Sequence, residues 1–159
     1  MNLPFSNIWF VDDDADEHEF FENTIHEINR DIQVTHFYNG SHLVPMLFQC
    51  VPDLLFLDLY MPGDGLSCLK KIREYKLFDK LPIIIYTGTD YYFNILYSYG
   101  YGATLCLLKQ NNFTKMKEQL EQILKLDWTN QSVITEMHFQ NNLYQAFEAR
   151  SKDPAEKNR

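Results

Sequence analysis

At 159 residues with 45% hydrophobic and 15% aromatic content, the chain is sized for one domain with one sizeable core and is too apolar for a disordered polymer. A formal net charge of -8 argues against nucleic-acid and anionic-membrane partners, which are held by clustered Lys and Arg, and favours a protein partner or a cation. Cys50, Cys68 and Cys106 are scattered and form no CxxC pair, so neither a disulfide framework nor a zinc site is expected; they read as reduced core residues. No apolar run approaches the ~20 residues that span a bilayer, and "MNLPFSNIWFVDDD" carries no basic leader, so a cytoplasmic chain without a membrane partner is expected.

Taken in chain order, strand patterns alternate with helix patterns. "NIWFV" (Asn7 to Val11) is a short apolar strand that stops at Asp12. His18, Phe21, Ile25 and Ile28 then recur at helical spacing, with Asp14 as N-cap and Glu17 three residues on. "IQVTHF" is a second strand, and "SHLVPMLFQC" a short helix with Pro45 in its first turn. "DLLFLDL" is a third strand, "GLSCLKKIREYKLF" a helix, "PIIIYTG" a fourth strand and "DYYFNILYSYG" a helix. "ATLCLLK" and "FTKMKEQLEQILKL" complete a fifth strand and helix.

Five βα units imply a doubly wound α/β fold, a parallel sheet with helices on both faces and strands that are apolar on both sides. In such sheets the ligand site lies outside the carboxyl ends of the strands. Asp12 and Asp13 end the first strand, Asp58 the third, Thr87 the fourth and Lys109 the fifth, so all five polar groups fall on one edge. Converging carboxylates repel by roughly 4 kcal/mol per pair at 4 Å and an effective dielectric of 20, so they need a cation. Hard oxygen ligands with room for water suit Mg²⁺. Lys109 and the Thr87 hydroxyl can hold phosphoryl oxygens, and Asp58 remains as the nucleophile that forms an acyl phosphate.

With "FVDDD", "LLFLDLYMP", "IIIYTG" and "LCLLK" in that order, residues 6 to 126 resemble the receiver domain of response regulators in two-component signalling, the single-domain type similar to the chemotaxis regulator. The resemblance implies a flavodoxin-like (βα)5 fold with strand order 2-1-3-4-5. It implies phosphorylation of Asp58, direct Mg²⁺ binding by Asp13 and Asp58, Asp12 acting through a metal-bound water, and the Tyr60 carbonyl as a further metal oxygen. Thr87 and Lys109 would sense the phosphoryl group. A sensor histidine kinase or phosphotransfer protein would be the donor, and the chain would be no enzyme beyond phosphorylating itself and slowly losing the group. Three positions depart from the family pattern: Gln110 stands where a cis-proline usually follows the lysine, Cys106 replaces an aromatic switch residue, and the turn after Met61 and Pro62 is one residue short.

Each residue taken singly has a plainer reading: Asp12, Asp13 and Asp14 as helix caps, Asp58 and Thr87 as turn formers, Lys109 as a solvated charge. Two other functions fit parts of the pattern. One is a receiver that serves only as a phosphorylation-independent docking module. The other is a haloacid-dehalogenase-like phosphatase, with Asp12 as nucleophile and Asp14 as acid and base, which leaves Asp58 unexplained. His18, His26, His36, His42 and His138 show no ligand spacing and are assigned no catalytic role.

The receiver is expected over residues 1–126, a helical extension over 127–150 and a disordered tail over 151–159. In the extension, Val133, Met137 and Tyr144, with Phe139, Leu143 and Phe147, give a loose helical pattern expected to pack on the receiver. The fourth helix is too aromatic to bury every ring on one face, so an exposed patch is expected there. In receivers the face of the fourth helix, fifth strand and fifth helix is the usual output surface. A downstream protein or a second copy is expected on it, with Thr87 signalling through the loop from Gly88 to Asp90.

Overall fold

The computed structural model describes residues 4–88 and 91–140. Five strands, β1 (Asn7–Val11), β2 (Gln33–Phe37), β3 (Leu54–Leu57), β4 (Ile83–Thr87) and β5 (Leu105–Leu108), form one sheet in the order β2-β1-β3-β4-β5. Every pairing is parallel. The helices are α1 (Ala15–Ile28), α2 (Leu43–Leu47), α3 (Gly65–Arg73), α4 (Tyr92–Gly100), α5 (Phe113–Leu124) and α6 (Gln131–Gln140).

Because side chains alternate along a strand, the apolar runs split into two cores, one on each side of the sheet. Trp9, Val11, Leu55, Leu57, Ile83 and Ile85 face α3 with Leu69 and Ile72. Ile8, Phe10, Leu54, Phe56, Ile84 and Tyr86 face α1 and α5 with Phe21, Ile25, Met116 and Leu120. Each carboxyl strand end thus emerges between two dry layers at a fixed height, which is what brings distant polar residues together.

Local chemistry sets the helix starts. Asp14 caps α1 by accepting the Asp16 N–H at 2.9 Å, as expected, but no capping box closes. The Asp14 N–H goes instead to Asp12 Oδ1 at 2.9 Å, and Glu17 is left beside the acidic strand ends. Asn112 caps α5 through the Lys115 N–H at 3.1 Å.

Several elements are shorter than their sequence patterns. The third helix pattern reaches Phe78, but α3 stops at Arg73 and a separate 3₁₀ turn spans Lys76–Phe78. The Arg73 guanidinium explains the break: it donates to Phe78 O at 2.5 Å, Leu81 O at 2.8 Å and Gly102 O at 2.9 Å, folding the chain back so that Phe78 is buried. Cys50 is exposed rather than part of the core, while Cys68 and Cys106 are buried; all three are free.

The extra C-terminal helix is present as α6. It seals the end of edge strand β5, where Thr135 Oγ1 donates to Thr104 O at 2.8 Å and the Phe139 ring packs on Tyr99 at 5.4 Å. Among its described side chains Ile134 is buried, whereas Val133 and Met137 of the expected stripe face outward. Leu143, Tyr144, Phe147 and the expected tail over 151–159 lie outside the described residues. No helix among the described residues is long and apolar enough to cross a membrane.

Candidate functional site

The carboxyl edge of β1, β3, β4 and β5 brings together the five groups singled out in the sequence. Asp12 follows β1, its N–H bonded to Phe37 O at 3.0 Å, and its side chain is only 1% exposed; Asp13 is exposed to solvent. Asp58 follows β3, with its N–H on Val11 O at 3.0 Å, and is 5% exposed. One carboxylate oxygen from each of Asp12, Asp13 and Asp58 lies within 4.8 Å of the others. From beyond β5, Lys109 Nζ reaches Asp12 Oδ2 at 2.5 Å and Asp58 Oδ2 at 3.3 Å. Thr87, fully buried at the end of β4, accepts the Lys109 N–H on its carbonyl at 2.8 Å, so hydroxyl and lysine leave adjacent strand ends.

Three carboxylates face one ammonium, and Glu17 adds a fourth acid nearby. Burial pushes the Asp58 carboxyl above the ordinary aspartate range, Lys109 pulls against it, and Asp12 adds to the rise. Burial also raises Glu17, assisted by Asp12, Asp14 and Asp58 against Lys109. For Lys109, burial opposes the charge, but the bond to Asp12 and the fields of Asp58, Asp12 and Glu17 outweigh it and its pKa rises. The pocket is therefore short of positive charge by design of its residues. Asp58 Oδ1 is buried without a hydrogen-bond partner among the described residues, and the donor set is all hard oxygen, so a divalent cation fits the pocket.

The loop after Asp58 is tight. Asp64 N–H bonds Met61 O at 3.0 Å and Asp64 adopts φ 53, which accommodates the missing residue noted after Pro62. A Cβ at Gly65 would lie 2.0 Å from the Asp58 carbonyl oxygen, so only glycine lets α3 start there. Tyr60 sits in this loop, 57% exposed, and its hydroxyl accepts from Asn94 Nδ2 of α4 at 2.5 Å. At the two other departures, no cis peptide occurs among the described residues, Gln110 included, and Lys109 still reaches both acids. Cys106 is fully buried, and the hydroxyl of Tyr99 on α4 accepts its N–H at 3.1 Å.

Four residues at or beside the site were not assigned there from sequence: Glu17, Asn94, His18 and His36. His18 Nε2 lies 2.7 Å from the Asp12 carbonyl oxygen, and its Nδ1 lies 2.7 Å from His36 Nδ1. The signal available for His18 was its place in the inward stripe with Phe21 and Ile25. Nothing in the spacing marks Asn94.

A five-stranded parallel sheet in the order 2-1-3-4-5 with an acid cluster and a lysine at its carboxyl edge defines a receiver-type signalling domain. The family model for the response regulator receiver domain matches residues 8–121, and the chain belongs to that family. The "Probable C4-dicarboxylate response regulator DctR" of Priestia megaterium is 27% identical over 154 residues, 95% of this chain and 67% of that protein. The DNA-binding transcriptional regulator NtrC of Escherichia coli K12 is 35% identical over 82 residues, 51% of this chain but 17% of NtrC. Among solved structures, a two-component response regulator from Clostridium difficile superposes with a TM-score of 0.63 at 25% identity, covering 76% of this chain and 96% of that one. The phosphorylated cyanobacterial phytochrome response regulator RcpA gives a TM-score of 0.69 at 20% identity, covering 75% and 91%.

The chain is thus a receiver of two-component systems rather than a phosphatase of the dehalogenase type. Asp14, which that alternative needs as acid and base, has its carboxylate committed to capping α1. Because NtrC is named as DNA-binding and this chain spans a sixth of it, the charge argument against nucleic acid is limited to this chain's own surface.

Proposed function

We propose that this chain is a working phosphoacceptor, taking a phosphoryl group from a phosphohistidine of a sensor kinase or phosphotransfer protein onto Asp58. The observation that carries the proposal is the convergence of the Asp12, Asp13 and Asp58 carboxylates within 4.8 Å under Lys109 Nζ. In the reaction the donor P–N bond breaks, a bond forms between phosphorus and an Asp58 carboxylate oxygen, and the leaving imidazole keeps the electron pair and takes a proton. Asp13, Asp58 and the Tyr60 carbonyl would hold Mg²⁺ directly, with Asp12 acting through a water. The cation, when bound, neutralises the acids and the incoming phosphoryl oxygens. Lys109 would exchange an Asp58 contact for a phosphoryl oxygen, and the Thr87 hydroxyl would hold another.

The receiver would comprise residues 1–126. Its output would pass to a partner protein or a second copy through the aromatic face of α4, where Tyr91, Tyr92, Phe93 and Tyr97 are exposed. That surface is narrower than the expected one, because α6 lies over Tyr99 and the start of β5. Thr89 and Asp90, in the loop expected to carry the signal, lie outside the described residues.

Incubation with acetyl phosphate and Mg²⁺ followed by intact mass should show one added phosphoryl group, absent in excess chelator. No addition, or addition that persists in chelator, would overturn the reading.

A further inference from the structure

Behind the acidic loop lies a polar cluster that phosphoryl transfer to Asp58 does not itself use. His18 is 3% exposed on the inward face of α1, its ring lying against Phe10 at 5.0 Å and Tyr38 at 4.3 Å between centroids. Its Nε2 is 2.7 Å from the Asp12 carbonyl oxygen and its Nδ1 is 2.7 Å from His36 Nδ1. His36, on β2, places Nε2 3.2 Å from Glu22 Oε2 of α1. Four groups therefore form one chain: Glu22 carboxylate, His36, His18, Asp12 main chain.

Donor and acceptor rules assign the protons. A carbonyl only accepts, so His18 Nε2 carries hydrogen. The Glu22 carboxylate only accepts, so His36 Nε2 carries hydrogen too. His18 is the deeper ring, and the two rings meet through their Nδ1 atoms at 2.7 Å.

We propose that Glu22, His36 and His18 are positioning residues, a hydrogen-bonded brace that fixes the Asp12 carbonyl and with it the direction in which Asp12 and Asp13 present their carboxylates. The inference deepens the phosphoacceptor reading and rests on it for its purpose. With the brace, every polar atom of Asp12 is held: N–H by Phe37 O at 3.0 Å, Oδ1 by the Asp14 N–H at 2.9 Å, Oδ2 by Lys109 at 2.5 Å, and the carbonyl by His18. β2 grips this one residue twice, through Phe37 directly and through His36 by way of His18. The need is physical. Asp13 is the next residue and is exposed, so repulsion from its neighbours would swing the loop outward unless the main chain before it is anchored.

The test compares the full chain with His18→Leu, which removes the donor, and His18→Gln, whose side-chain amide can still donate to the Asp12 carbonyl. Long-range proton–nitrogen NMR of the metal-free protein should show hydrogen on His18 Nε2, held by the Asp12 carbonyl. Amide exchange at Asp14 should quicken about tenfold in His18→Leu, and Mg²⁺ affinity by calorimetry should fall about tenfold, with both near parent values in His18→Gln. A His18 ring with no hydrogen on Nε2, unchanged exchange and affinity in folded His18→Leu, or failure of the glutamine to restore them would overturn the brace. Should His18→Leu not fold, Glu22→Gln and His36→Leu at the outer end give the same readouts. If the parent itself takes neither Mg²⁺ nor phosphoryl, the phosphoacceptor reading fails, while the ring protons and Asp14 exchange, both measured without metal, still decide the brace.

Discussion

Lys109→Met replaces the cation that reaches both buried acids with an apolar chain of similar length. Attraction at an effective dielectric of 20 is ~7 kcal/mol for the 2.5 Å contact with Asp12 and ~5 kcal/mol for the 3.3 Å contact with Asp58. Most of this is offset by taking the ammonium out of water, since the Lys109 side chain is only 15% exposed. What remains after substitution is a pair of uncompensated carboxylates, 1% and 5% exposed, a situation that costs about 3–5 kcal/mol. Urea unfolding in chelator, followed by the fluorescence of buried Trp9, should therefore show a loss of that size. Mg²⁺ at a hundred times its dissociation constant should return ~2.7 kcal/mol. Asp58→Asn in the Lys109→Met background should also recover part of the loss, because it removes one of the two stranded charges. A loss below ~1 kcal/mol, or no recovery with Mg²⁺ or Asp58→Asn, would refute the electrostatic account of the pocket.

Stability without metal should depend on pH through Asp58 and Glu17, whose folded pKa values are raised by burial. Between the ordinary carboxylate value and the raised one, the folded state binds more protons than the unfolded, so stability rises as pH falls through that window. Chemical denaturation across the window should show this slope, and Asp58→Asn should flatten it; an unchanged slope would contradict the assignment. Tyr60→Ala should shorten the lifetime of the phosphorylated protein by opening the site to water, and Asn94→Ala should do so in part by freeing the ring; decay of the mass-shifted species measures both. Gly65→Ala should destabilise the fold by about 1–3 kcal/mol or more and slow phosphorylation, since its Cβ would meet the Asp58 carbonyl oxygen at 2.0 Å, and a neutral thermal melt would contradict this.

Much of the site was legible because each of Asp12, Asp58, Thr87 and Lys109 interrupts an apolar run at the end of a strand, and parallel strands put those ends at one height. The sheet order followed from the same alternation once the family resemblance was drawn. Contacts that depend on how helices sit over the sheet were not legible. His18 and His36 are 18 positions apart and meet because side chains of α1 reach β2, and Tyr60 finds Asn94 across 34 positions. Arg73 ends α3 by bonding three carbonyls contributed by later segments, which no window around the helix reveals. In α6 the expected Phe139 packs on Tyr99, but Val133 and Met137 face outward and Ile134, outside the expected pattern, is buried instead.

Asp58 is proposed as the acceptor, in a pocket where Asp13 and Asp58 would hold the cation directly and Asp12 through a water. The most direct measurement is intact mass of the parent and of Asp58→Asn, treated side by side with acetyl phosphate and Mg²⁺. The parent should gain one phosphoryl group and Asp58→Asn none. A phosphoryl gain in Asp58→Asn equal to that of the parent would contradict the account.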